Sequence, residues 1–152
     1  MTTLHEADVL AIVADTSKVI AGDIAWRIQP TMTPASKFRV SVATDDDHPL
    51  FIEGFYNPSF GKLSFSVIFQ GQGRIYGLDL GRQHRNMDGH IVEDTHKVRW
   101  TEGERDRQAY EPQDITASWS DPLEAWRQFC LEANLRHEGR MIAPVTQGEL
   151  AL

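Results

Sequence analysis

Three histidines spaced six residues apart, His84, His90 and His96, stand among Arg82, Arg85, Lys97 and Arg99 in GLDLGRQHRNMDGHIVEDTHKVRW, residues 77–100. Imidazole moves protons near neutral pH, because its unperturbed pKa is about 6.5. Arginine and lysine stabilise charge developing on a phosphate, and arginine does so with a two-pronged fork. Tyr110, in AYEP just downstream, adds a phenol. A histidine pair with such cations is what metal-independent RNA cleavage requires. One imidazole takes the ribose 2′-hydroxyl proton, the other protonates the leaving oxygen, and Arg85 or Lys97 holds the phosphorane. On this reading His84, His96, Lys97 and Tyr110 are catalytic, and Arg82, Arg85, Asn86, Arg99 and Trp100 bind the ligand. The same residues without catalysis form a nucleotide or phosphate pocket, with Trp100 stacking on a base.

Blander readings compete for these residues. HRNMDG is ordinary turn chemistry, and Asp88, Glu93 and Asp94 offset much of the local positive charge. Asp79, His84, His90 and His96 could offer nitrogen and oxygen ligands to a metal. Their even spacing matches no tight ligand motif, and the single cysteine removes the usual structural zinc sets. No metal and no cofactor are therefore expected. GQGRIYGLDLG lacks a lysine-bearing phosphate loop and reads as turn glycines. Asp45, Asp46 and Asp47 read as a solvated hairpin tip, and Cys130 as an inert core thiol. Trp26, Trp119 and Trp126 read as core, and His5, His48 and His137 as surface.

The elements that must position these groups follow from periodicity. Residues 3–14 space Leu4, Ala7, Leu10, Ala11 and Ala14 at helical intervals, which predicts an amphipathic helix. KVIAGDIAWRIQ, KFRVSVAT, PLFIEGFY, KLSFSVIFQ and RIYGLDLG are short β-rich runs separated by turn residues. Phe38, Val40 and Val42 share one face, as do Leu63, Phe65, Val67 and Phe69; this indicates an antiparallel meander with one buried side. THKVRWTE reads as a further strand, and AYEPQDITASWS as extended. His84 and His96 are expected on the two arms of one hairpin, facing each other. DPLEAWRQFCLEANLRHEG is the clearest helix, with Asp121 as N-cap, Pro122 at its first position and Glu124 completing a capping box. Its expected apolar stripe is Leu123, Trp126, Cys130 and Ala133, widened by Phe129, with Gly139 as the stop. The expected fold is α+β: an N-terminal helix, an antiparallel meander of about five or six strands, and a C-terminal helix on one face of the sheet.

At 152 residues the chain is expected to form a single domain over residues 1–152, with 144–152 a loosely ordered tail. The net charge of −7 and pI near 5.3 argue against a general nucleic-acid coat, since nonspecific affinity comes from neutralising phosphates. A local cationic pocket for one anionic group stays open. No apolar run approaches the ~20 residues that span a bilayer, so no membrane partner is expected. MTTLHEADVLAIVADTSK makes a poor signal peptide, and with a lone cysteine this points to the cytoplasm.

The blocks GLDLGRQHRN, THKVRWTE, AYEPQDIT and EAWRQFC, over residues 73–140, resemble a family of small uncharacterised bacterial and phage or prophage proteins, classed as a domain of unknown function. Asp79, His84, His96 and Lys97 more faintly resemble the histidine-rich element of toxins from bacterial toxin–antitoxin modules. Val98 stands where that element has a further histidine. The toxin resemblance implies action on RNA and pairing with an antitoxin. The phage resemblance carries no function by itself; together with the net charge of −7 it motivates an alternative, a non-catalytic accessory, anti-defence protein that captures a nucleotide signal or docks its acidic surface on a host nucleic-acid-binding protein. An exposed meander edge is compatible with a homodimer.

Overall fold

The computed structural model describes residues 4–81, 84–85, 91–92, 95–101, 105–110 and 115–144, and of those from 84 to 110 it describes the backbone only. The chain runs α1 (Glu6–Ala14), β1 (Val19–Ala21), β2 (Arg27–Ile28), β3 (Ser36–Val42), β4 (Leu50–Asn57), β5 (Lys62–Phe69), β6 (Gly73–Leu80), β7 (His84–Arg85), β8 (Ile91–Val92), β9 (Thr95–Thr101), β10 (Arg105–Tyr110), α2 (Pro122–Glu132) and β11 (Arg136–Glu138). Seven strands form one sheet in the order β10-β9-β6-β5-β4-β3-β2, every neighbouring pair antiparallel. The α+β architecture with a helix at each end is as the periodicity predicts. The meander gains its length from β9 and β10, which carry it past β6.

Alternation with period two builds the sheet. In β3–β5 the inward phase is Phe38 and Val42, then Leu50, Ile52, Gly54 and Tyr56, then Leu63, Phe65 and Val67, all buried. Registers Phe38↔Gly54↔Phe65 and Val40↔Ile52↔Val67 place these residues side by side. The α2 helix packs on that side. Phe65 lies 5.1 Å from Trp126 and 5.5 Å from Phe129, ring centre to ring centre. Gly54 is small for a reason: a Cβ there would sit 2.0 Å from the Phe38 ring, which lies across its strand.

Side chains add to the backbone bonds that close the helices. Asp121 accepts a hydrogen bond from the Glu124 amide at 3.3 Å, so the expected N-cap is present. The far end differs from expectation. Helix α2 stops at Glu132, Asn134 takes the left-handed conformation with φ 57°, and the chain turns into β11 before Gly139 is reached. Of the expected stripe Trp126, Phe129, Cys130 and Ala133 are buried, joined by Pro122 and Ala125, whereas Leu123 is exposed. In α1 the buried residues are Val9 and Ile12 rather than Leu10 or the alanines: the face that meets the core runs through these two, three residues apart, and Leu10 lies about 100° round the helix from Val9. Its C-terminal carbonyls belong to Lys18. The buried Lys18 ammonium donates to the carbonyls of Ile12, Val13 and Asp15 at 2.6, 2.9 and 2.6 Å.

KVIAGDIAWRIQ does not form one meander strand. Val19–Ala21 leaves the sheet and pairs in parallel with β11, and Asp23 accepts from the Arg140 amide at 2.9 Å. Thr116 and Ala117, expected to be extended, stand outside the ladders; Gln128 Oε1 accepts from both of their amides. The tail from 145 lies outside the described residues.

Replacing Gly54 by alanine should lower unfolding stability by roughly 1–3 kcal/mol, since Phe38 must leave its rotamer or the strands must part. Denaturant titration of G54A measures this, and an unchanged midpoint would show that the ring has room to yield.

Candidate functional site

The outward phase of the same strands carries different chemistry. It presents Lys37 and Arg39 on β3, Phe51, Glu53 and Phe55 on β4, and Ser64 and Ser66 on β5. The segment leading into β2, and β2 itself, add Asp23 and Arg27 at the rim. All of these but Phe51 line an open hollow of about 810 Å³. Its three cations face two carboxylates, one of which, Glu53, lies 3.9 Å from Arg39 in an exposed pair worth little. Arg27 and Lys37 make no ion pair among the described residues. The hollow thus keeps a net positive charge on a chain whose total is −7.

Cations here sit beside aromatic rings. The Arg39 guanidinium carbon lies 3.7 Å from the Phe51 ring centre, the Lys37 ammonium 5.9 Å from that of Phe55, and the Lys62 ammonium 5.9 Å from that of Phe60. Phe60, at the β4–β5 turn, is 71% exposed.

Towards the centre of the sheet the outward side is neutralised. Arg74 holds Asp79 through two hydrogen bonds of 3.0 and 3.2 Å, and both side chains are largely buried. Gly77 between them lets the guanidinium lie flat on the strand, since a Cβ there would meet Arg74 Nη2 at 2.0 Å. Breaking one partner of such a pair would leave a buried charge, so this pair is structural.

Strand β9 lies between β6 and β10 and carries His96, Lys97, Arg99 and Trp100, four of the nine site residues singled out from the sequence. Its register sets His96 opposite Asp79, Val98 opposite Gly77, Lys97 opposite Leu78 and Arg99 opposite Tyr76. His96 and Val98 therefore take the outward phase, and Lys97 and Arg99 the inward phase, where Tyr110 is the register partner of Lys97. Trp100 follows within β9. His84 and Arg85 belong to the separate β7–β8 ribbon, with His84 opposite Val92 and Arg85 opposite Ile91. The two histidines thus stand in different ladders. Arg82, Asn86 and His90 lie outside the described residues, as do the side chains of His84, Arg85, His96, Lys97, Arg99, Trp100 and Tyr110.

On the inward side Tyr76 donates a hydrogen bond to Glu132 at the end of α2. Burial pushes the Glu132 carboxyl up to about 7. His137, expected on the surface, instead bridges two segments: its Nδ1 accepts from Trp126 Nε1 at 3.1 Å and its Nε2 lies 2.8 Å from the Gly22 carbonyl oxygen. Cys130 is buried and its thiol is pushed up to about 12, the inert character expected of it.

Sequence reasoning centred on residues 82–110 passed over Arg27, Lys37, Arg39, Phe51, Phe55 and Phe60. A signal was present. In LFIEGFY the phenylalanines 51 and 55 fall on the polar phase of an alternating strand, and in KFRV two cations do the same.

A model of the family of unknown function DUF6978 matches residues 4–135. The chain belongs to that family. The match takes in α1, the whole sheet and α2, a wider span than the blocks over 73–140 that carried the resemblance. No curated protein matches the chain, and no solved structure does. No helix among the described residues is long and apolar enough to cross a membrane.

Because the folded-state value of Glu132 stands above its ordinary value near 4.5, folding takes up a proton there. Its stabilising contribution is full below about 4.5 and is lost as pH rises through about 7. Unfolding curves across that window should show stability falling with pH in the wild type and a flatter profile in Glu132→Gln. Parallel profiles would remove Glu132 as the cause.

Proposed function

We propose that the protein binds a phosphate-bearing ligand, a nucleotide or RNA, on the outward side of its sheet. The observation that supports this is the hollow ringed by Arg27, Lys37 and Arg39 over Phe55, Ser64 and Ser66. Guanidinium and ammonium groups meet phosphate oxygens with charge-assisted hydrogen bonds, and serine hydroxyls add neutral donors. The −7 total charge repels polyanions at long range, so binding is confined to this patch and is strongly salt-sensitive. The reading places the protein in the cytoplasm of a cell carrying a mobile element, a setting that rests on the sequence resemblance.

Binding of a labelled RNA oligonucleotide, followed by fluorescence anisotropy across a salt series, tests it. Three cations predict a log–log slope of about −2, falling towards about −0.7 in the Lys37→Ala/Arg39→Ala double variant. If wild type and double variant bind alike, or neither binds at low salt, the reading fails.

Catalysis by His84 and His96, with Lys97 and Tyr110 in support, is a second reading. It is favoured by the register position of His96 opposite Asp79, a carboxylate neighbour for an imidazole on the outward phase. RNA cleavage by the His84→Ala/His96→Ala variant should then drop by ~10²-fold or more. Cleavage at the wild-type rate would leave a binding protein.

A further inference from the structure

We infer that the ligand of the outward side is an extended single strand of nucleic acid, its bases stacking on three aromatic–cation pairs strung along β4 and its turn. The inference rests on the phosphate-ligand reading above and narrows it.

The pairs are Phe51 with Arg39, Phe55 with Lys37, and Phe60 with Lys62. At Phe55 and Phe60 a ring offers a flat surface for a base with an ammonium 5.9 Å away for a phosphate; at Phe51 the Arg39 guanidinium lies over the ring at 3.7 Å and is itself the plane on which a base stacks. Spacing excludes a mononucleotide as the fitting ligand. Phe51 and Phe55 are four residues apart on one strand face, about 13 Å at 3.3 Å per residue, so one base covers one ring. Phe60 continues the line beyond the end of β4. A duplex fits poorly, because its base faces are already occupied by their neighbours in the stack and only phosphates reach a protein ring. A single strand leaves each base free to stack on an aromatic ring or on a guanidinium plane such as that of Arg39.

Phe60 supplies an independent reason. A phenylalanine left 71% exposed at a turn gains little from folding, and it carries a lysine beside it in the same arrangement as the two rings on the strand. Glu53 sets the path. Exposed between Phe51 and Phe55, its carboxylate repels phosphate, so the sugar–phosphate chain runs on the Lys37 and Arg27 side. Glu53 is then left to accept from base amino groups or a ribose hydroxyl.

Three probes separate the outcomes: a labelled oligouridylate of about eight nucleotides, its duplex with oligoadenylate, and uridine monophosphate. Oligouridylate should bind most tightly. Phe55→Ala and Phe60→Ala should each weaken it by about 5- to 100-fold. Phe60 is largely exposed, so Phe60→Ala keeps its fold, which circular dichroism verifies. Equal binding by wild type and both phenylalanine variants overturns the inference, as does duplex or monophosphate binding as tight as the single strand. In those cases a salt slope of about −2 leaves the phosphate reading standing. If no phosphate-bearing probe binds, both fall.

Discussion

The packing of Phe65 against Trp126 and Phe129 is the contact on which the rest of the molecule depends. It joins the centre of the sheet to α2 and decides which phase of every strand faces inward. Phe38 and Tyr76 extend the same aromatic layer to either side, and Trp26 packs edge-on against Phe38. A strand cannot slip by one residue without driving this layer into water, so the register of β3 to β6 is held along its length. Beyond the Arg74–Asp79 pair on β6, the outward phase of β3 and β4 is left to solvent-facing side chains. Lys37, Arg39, Phe51 and Phe55 can then serve a ligand without weakening the core.

Several polar side chains find their partners in other segments of the chain. Lys18 takes the carbonyls that α1 leaves open, Gln128 takes the amides of Thr116 and Ala117, and Asn134 donates to the Val13 carbonyl at 3.0 Å. His137 ties α2 to the turn after β1. These bonds hold together segments that share no sheet, while reciprocal backbone bonds of 2.9 Å between Val19 and Ala43 dock the β1–β11 pair beside the larger sheet. Each is worth about 1 kcal/mol in isolation, but an unmatched buried partner would cost more, so their geometry is specified tightly.

Two chemical districts result. The outward side of β3 to β5 is cationic and aromatic. The β6–β9–β10 region brings His96 into register beside the Arg74–Asp79 pair, while Lys97 and Arg99 fall on the opposite phase. Strand geometry thus divides residues that sit side by side in HKVR. A cluster in sequence is a cluster in space only on a helix face or at a turn; along a strand, neighbours separate to opposite faces.

By itself the sequence determined the α+β class, the positions of the β3 to β6 strands, the Asp121 cap and the buried character of Cys130. These follow from local periodicity, capping chemistry and hydrophobicity, which need no knowledge of distant partners. The end of α2 was misread because Gly139 is a familiar stop, whereas Asn134 reached the left-handed conformation first and is held there by Val13, far away in the chain. The parallel pairing of β1 with β11, the bridging role of His137 and the burial of Lys18 were decided by tertiary structure alone, since each depends on a partner contributed by another segment. So was the gathering of Arg27, Lys37 and Arg39 round one hollow: strand order sets which outward residues become neighbours, and that order is fixed by backbone hydrogen bonds that leave no trace in composition or spacing.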